Sequence, residues 1–270
     1  MNLLIADNSL IIRLAAFFAI FLIMATWEGL APRRTPKTAK ARRWPTNLSL
    51  TVLNSLVGRT VLLLPGIGLA LSAEAQGWGI LNRLNLPPPA GGAIAIVVLD
   101  LTIYLQHLVF HKIPLFWSLH GLHHTDLDID VTTGTRFHPL EIALSLLIKA
   151  GMIVLVGVPA WAFLLFEILL NGTSLFNHGN VRIPIGADRL LRLFLVTPDM
   201  HRVHHSVIIR ERDSNFGFNL SWWDRLFRTY RDQPEKGHAE MVIGLANFRN
   251  PRDLTLLRLL ALPFSSWRKF

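Results

Sequence analysis

The chain has 270 residues, 51% hydrophobic and only 17% charged, with no cysteine and a formal net charge of +9. Its mean hydropathy is +0.39 and its pI near 10.8, whereas a soluble domain of this length usually carries about 25% charged residues. The missing cysteine excludes disulfide scaffolds, thiolate zinc sites, iron–sulfur clusters and cysteine nucleophiles, and leaves the redox compartment open.

Four apolar stretches follow in chain order. The first, Leu10 to Trp27, is broken only by Arg13, whose long side chain can snorkel to an interface. It reads as a retained anchor rather than a signal peptide, because no basic region precedes it and Ala25-Thr26-Trp27-Glu28 offers no small-x-small cleavage site. Arg33, Arg34, Lys37, Lys40, Arg42 and Arg43 then crowd into one short loop, which the positive-inside rule places in the cytoplasm. A nucleic-acid reading of this run lacks aromatic interleaving and any recognition motif.

The second stretch, Leu48 to Ala75, contains Asn54 and Arg59, expected to face protein or to snorkel, and Pro65-Gly66 predicts a kink. The third, Ala90 to Phe110, places Asp100, Tyr104, His107 and His111 on one helical face. The fourth, Leu140 to Phe176, would reach roughly 55 Å as one straight helix, far more than a bilayer core of about 30 Å needs. Gly157-Val158-Pro159 divides it into a hairpin, which returns His178 to the side that His138 leaves. From Arg182 onward the pattern is polar and amphipathic. Arg189, Arg192, Arg202, Arg210, Arg212, Arg225, Arg228 and Arg231, with Trp222 and Trp223, suggest a cytosolic cap lying on the membrane, each arginine read as solvated. The expected architecture is all-α: an integral membrane helical bundle whose last apolar segment is a hairpin, under a helical cap that holds a histidine-rich dinuclear site. One domain is expected, with spans and basic loop over 1–89, a catalytic region over 90–230 and a cytosolic tail over 231–270.

Ten of the eleven histidines lie between His107 and His205. They form His107-x-x-x-His111, His120-x-x-His123-His124, His138-Pro139-x-Glu141, His178 in Phe176-Asn177-His178-Gly179-Asn180, and His201-x-x-His204-His205. Residues four apart on a helix share a face, so His107 and His111 can bind one ion. In the five-residue motif the first histidine faces with both the fourth and the fifth, while the adjacent pair diverges by about 100°, so one motif can feed two metals. Its repetition predicts two half-sites across a dinuclear centre, since so many buried imidazoles without a common partner would be costly. His107, His111, His120, His123, His124, His201, His204 and His205 are the ligands this spacing supports. His178 joins them through the hairpin, and His138 reads as either a ligand or a helix cap. Asp100, Glu141 and Asp199 read either as carboxylates that orient ring N–H groups or as caps and surface pairs. His238 lies outside the cluster and reads as a surface residue. Spacing does not choose the metal, because zinc and copper also accept imidazole.

These motifs resemble the fatty acid hydroxylase and sterol desaturase superfamily of membrane di-iron oxygenases. The resemblance covers Asp100 to Tyr230. It includes Asp100-x-x-x-Tyr104-x-x-His107-x-x-x-His111, His138-Pro139-x-Glu141, Asn215-Phe-Gly217 and Trp223-Asp224-Arg225-Leu226-Phe227-Arg228-Thr229-Tyr230. It implies two iron ions held mainly by histidine, dioxygen, and removal of hydrogen from an unactivated carbon, ending in hydroxylation or desaturation. It also implies that His178 is the ligand of the central motif. Fatty acid 2-hydroxylase-like members carry a second histidine four positions earlier, where this chain has Ser174, and Asn180 is then a candidate to contribute through a bound water. No fused haem-binding domain is expected, so electrons are expected from a separate ferredoxin, rubredoxin or cytochrome b5-like protein.

The expected substrate is a lipid (a sterol, fatty acyl chain or related molecule) and no nucleic acid is expected. A metal transporter or sensor, and a zinc-dependent lipid hydrolase or isomerase on the same scaffold, are the competing readings. A transporter would place its ligands near the bilayer midplane rather than at cytoplasmic helix ends. The excess of arginine over lysine, and the tail Ser266-Trp267-Arg268-Lys269-Phe270, which is not a dilysine retrieval signal, point to a bacterial inner membrane.

Overall fold

The computed structural model describes residues 2–61 and 66–265, and among them the chain is helical, with isolated bridges but no strand. Pro65 of the expected kink and the tail 266–270 lie outside the described residues. Helix α1 (Asn2–Leu30) runs along the later α7, and α2 (Lys40–Val61) and α3 (Gly66–Gln76) follow. Next come α4 (Pro88–Lys112), α5 (Pro114–His124) and α6 (Pro139–Met152), the last extended by a π turn over Ile153–Gly157, and then α7 (Ala160–Asn177). Short helices complete the chain: α8 (Ile185–Leu191), α9 (Pro198–His204), α10 (Ile209–Arg212), α11 (Trp222–Leu226), α12 (Gly237–Glu240) and α13 (Leu256–Ala261).

Among the described residues four helical segments are long and apolar enough to cross a membrane: Asn8–Leu30, Pro88–Lys112, Pro139–Gly157 and Ala160–Asn177. Each half of the fourth expected stretch therefore suffices alone. Leu48–Ala75 is divided between α2, which already begins at Lys40, and α3. Contacts fix the directions. Asn54 donates to Phe137 O (3.0 Å) at the start of α6, and Gly58 lies beside Leu146, so α2 and α6 run together away from the histidine end. Arg13 pairs with Glu167 at 3.1 Å and Ile20 lies beside Gly172, so α1 and α7 run together toward it. Arg13 thus has a buried carboxylate partner, beyond the expected snorkelling.

Proline and glycine set the corners. A residue before proline is driven out of the helical region, and Ile113 (φ −102°, ψ 118°), ahead of Pro114, separates α4 from α5. The same grammar starts α6 after His138 and α9 after Thr197. At the opposite end Gly157 turns the hairpin with φ +76°, a conformation glycine adopts without a Cβ clash. A Cβ on Gly79 would stand 2.1 Å from the Gly157 backbone nitrogen, so these two loops close only as glycines. Between them lies an apolar core of Leu99, Ile103, Ile153, Phe163 and Phe166.

A nine-histidine candidate metal centre

Helix periodicity and two proline corners bring nine histidines to one end of the bundle. Among the described residues they fall into two buried groups, His107, His111, His120, His124 and His204, and His123, His178, His201 and His205, with one ligand atom per residue inside 4.8 Å in each group. Both five-residue boxes are split as the rotation between neighbours requires. His120 and His124 join the first group while His123 turns to the second; His201 and His205 join the second while His204 turns to the first. His124 and His205 stack where the groups meet, with ring centroids 4.6 Å apart and 22° between planes.

The outward nitrogens meet acceptors. The Nδ1–H of His107 donates to Phe216 O (2.8 Å), that of His204 to Ser214 O (2.7 Å), that of His123 to Arg136 O (3.1 Å) and that of His178 to Ser174 O (2.7 Å). His120 donates to Glu141 Oε1 at 2.7 Å. With the proton on Nδ1, each Nε2 presents a lone pair. Those lone pairs face one another, His107 to His120 at 3.1 Å and His123 to His178 at 3.0 Å, and His201 Nε2 lies 3.1 Å from His178 Nε2. Lone pairs at such separations repel unless a cation lies among them. Metal–imidazole bonds of about 2.0–2.1 Å place ligand nitrogens at right angles about 3 Å apart, as seen here. His111 Nε2, His204 Nε2 and both ring nitrogens of His124 and His205 are buried without a hydrogen-bond partner, a costly state that metal coordination relieves.

Burial and the neighbouring imidazoles lower the proton affinity of His123, His124, His201, His204 and His205, and burial holds His178 at about 4. These rings are therefore neutral near pH 7, the form that ligates.

Apart from Glu141, the other expected residues are elsewhere. His138 lies outside both groups: its Nδ1 accepts from Leu140 N to cap α6, and its Nε2–H donates to Leu260 O (3.2 Å). Of the polar residues expected to support the site, Glu141 touches a site histidine. Asp100 instead accepts from Leu220 N and Trp223 Nε1, tying α4 to the segment after the last box. Asp199 pairs with Arg33 and Arg202. Asn180 grips the first loop, accepting from Arg34 N (3.2 Å) and donating to Arg34 O (2.8 Å), which uses both ends of its amide away from the histidines.

Ser174 donates to Gly134 O while its own carbonyl receives His178. A Cβ at Gly134 would come within 2.6 Å of Ser174 O, so this approach requires glycine.

Charge near the site is also more buried than expected. Arg34 and Arg43 of the basic run are buried; Arg43 meets Asp126 at 2.5 Å and Asp130 at 2.7 Å, and Asn47 donates to Asp126. Burial alone would raise the Asp126 pKa, yet the Arg43 guanidinium holds it well below the usual carboxylate range. Arg192, Arg202 and Arg212 are buried rather than solvated, as is His238, 3.5 Å from Asp199. Each was read as exposed because a charged residue is usually solvated, but here acids meet it inside the fold: Asp188 and Asp232 for Arg192, Asp199 for Arg202 and His238, and Asp213 for Arg212.

Sequence reasoning missed the backbone acceptors. Ser214 O and Phe216 O flank Asn215, which has φ +54° and whose side chain donates to Met200 O and Arg231 O and accepts from Arg231 N. Asparagine tolerates the left-handed region, and this kink aims two carbonyls at histidines of different boxes. The asparagine before Phe216-Gly217 was the available signal. Asp213, 3.4 Å from His111 Nδ1, was also missed.

The ornithine lipid hydroxylase OlsE of Rhizobium tropici is 29% identical over 150 residues, covering 56% of this chain and 44% of that protein. The alkylglycerol monooxygenase of Homo sapiens is 29% identical over 199 residues (72% of this chain, 42% of that protein), and methylsterol monooxygenase 1 of Danio rerio 27% over 139 residues (49% and 44%). The chain spans less than half the length of each of these relatives. No solved structure matches it significantly. Residues 92–229, which contain all nine clustered histidines, match the fatty acid hydroxylase family, and the chain belongs to that family.

Proposed function

We propose that this protein is a membrane-bound oxygenase that uses two iron ions, dioxygen and electrons from a separate redox protein to hydroxylate or desaturate an unactivated C–H position of a lipid. The observation that carries the reading is the pair of buried histidine groups with facing lone pairs at the end of apolar helices. His107, His111, His120, His124 and His204 would hold one ion, and His123, His178, His201 and His205 the other. When bound, iron supplies the activation of dioxygen. The chain supplies the rest. Its neutral imidazoles leave the positive charge of the ions largely uncompensated, Glu141 offsets part of it through His120, and complete burial keeps bulk water from the reacting carbon. In hydroxylation one oxygen atom enters the C–H bond and the other leaves as water, consuming electrons and protons from outside; desaturation sends both oxygens to water.

A lipid substrate is supported by the apolar helices below the site and by the names of the relatives, which act on ornithine lipid, alkylglycerol and methylsterol. The donor would be a ferredoxin, rubredoxin or cytochrome b5-like protein. The histidine end would face the cytoplasm of a bacterial inner membrane, on the side of the basic run at Arg33 to Arg43. The decisive experiment compares lipids of cells with and without the protein under isotopically labelled dioxygen. A lipid that gains one labelled oxygen or loses two hydrogens, and that disappears in His123→Ala and His204→Ala, is expected. Metal uptake into proteoliposomes without lipid turnover, or turnover without oxygen, would overturn it.

A further inference from the structure

The two histidine groups meet along a seam, and aromatic rings touch it from the side of the bundle. Phe218 lies 5.2 Å from the ring of His107 and 6.1 Å from that of His201. Phe137 stacks on His123 at 4.5 Å and 8° and lies 6.4 Å from His120. Each phenyl ring therefore touches one histidine of each group. Among the described residues the other aromatic neighbours of these histidines, Phe110, Trp117 and Phe216, make ring contacts with the five-histidine group alone.

Both rings also belong to the apolar core of the long helices, with Leu99, Ile103, Phe163 and Phe166. Their main chains are pinned by asparagines from that same bundle. Asn54 of α2 donates to Phe137 O (3.0 Å), and Asn177 of α7 donates to Phe218 O (2.6 Å). Around the rest of the centre the histidines meet polar atoms, Glu141, Asp213 and the carbonyls of Arg136, Ser174, Ser214 and Phe216, and the rings of Phe110, Trp117 and Phe216, which reach the five-histidine group but not the seam. A saturated chain forms no hydrogen bonds and cannot displace such partners without leaving them unpaired.

We infer that Phe137 and Phe218 are specificity-determining residues: they form the two walls between which the hydrocarbon chain of the lipid reaches the seam, and they set which carbon stops there. The inference rests on the proposed oxygenase reading and goes beyond it by naming the entry side and the residues that measure the chain. Asn54 and Asn177 are positioning residues, holding the walls at fixed separation.

Two measurements on the full chain in membranes test it. A phospholipid analogue with a diazirine on its acyl chain is photolysed and the labelled peptides are sequenced. Adducts are expected in the peptides containing Phe137 and Phe218; adducts confined to other segments would overturn the inference. In parallel, the position of the incorporated oxygen is read by mass spectrometry in Phe218→Ala and Phe137→Ala, with Phe218→Leu and Phe137→Leu in reserve should the alanine variants fail to accumulate. A shift of one or more carbons with both metal ions retained is expected; unchanged regiochemistry in variants that retain metal would also overturn it. Adducts at both rings with no oxygen incorporated by the unmodified protein would instead remove the oxygenase reading and leave the chain-binding walls standing.

Discussion

His120 Nδ1–H donates to Glu141 Oε1 over 2.7 Å, with both side chains buried, and this bond fastens the second histidine box to the first turn of α6. The carboxylate fixes the tautomer that turns Nε2 toward His107. Removing such a partner of a metal-bound histidine typically costs about 10–100-fold in metal affinity. Glu141→Ala should therefore release one ion to a competing chelator at about 10–100-fold lower chelator concentration, whereas Glu141→Gln, which still offers an acceptor oxygen, should lie between. Equal chelator resistance in all three proteins would show that the bond does not tune the site.

Adjacent histidines should fail separately. His123 and His124 point into different groups, so His123→Ala should weaken the four-histidine group and His124→Ala the five-histidine group. Each variant, analysed for metal by mass spectrometry, should retain about one ion per chain where the unmodified protein is expected to retain two. Loss of both ions from either variant would mean that the groups load as one unit.

Asn215 combines a left-handed backbone with three side-chain hydrogen bonds. Asn215→Gly keeps the φ angle and loses the bonds, each worth about 0.5–1.5 kcal/mol net. Asn215→Ala loses the same bonds and adds strain of roughly 1–2 kcal/mol. Thermal unfolding in detergent should rank the unmodified protein above glycine and glycine above alanine. Alanine equal to glycine would contradict the strained geometry.

The buried Arg43–Asp126 pair ties the start of α2 to the residues after the second box. Deleting one partner of a buried pair costs about 3–5 kcal/mol, because the other charge is left without compensation. Arg43→Met should lower the unfolding midpoint sharply, and Arg43→Met with Asp126→Asn should recover part of the loss. A double variant no better than the single one would assign the cost to packing rather than to the orphaned carboxylate.

The helices and the clustered histidines were legible because both are local. An apolar run of sufficient length and histidines three and four apart express one helical period, so the spans and the nine clustered histidines could be read without tertiary information. The hairpin at Gly157-Val158-Pro159 was legible for the same reason. The supporting residues were not, because hydrogen-bond partners are chosen across the fold. Asp100 and Asp199 had the right chemistry and went to Trp223 and to Arg33 and Arg202, while the acceptors used were carbonyls, which every residue carries and no side chain advertises. Burial of Arg43, Arg192, Arg202 and His238 escaped notice likewise.

The sequence by itself determined a chain of apolar helices with histidine boxes at their ends, since period and hydropathy act within a few residues. The tertiary structure alone decided that the boxes interleave into a five-histidine and a four-histidine group, that His138 caps a helix instead of joining them, and that two phenylalanines line the seam. Those outcomes depend on how α4, α5, α7 and α9 pack, and packing is a property of distances between elements that no single segment contains.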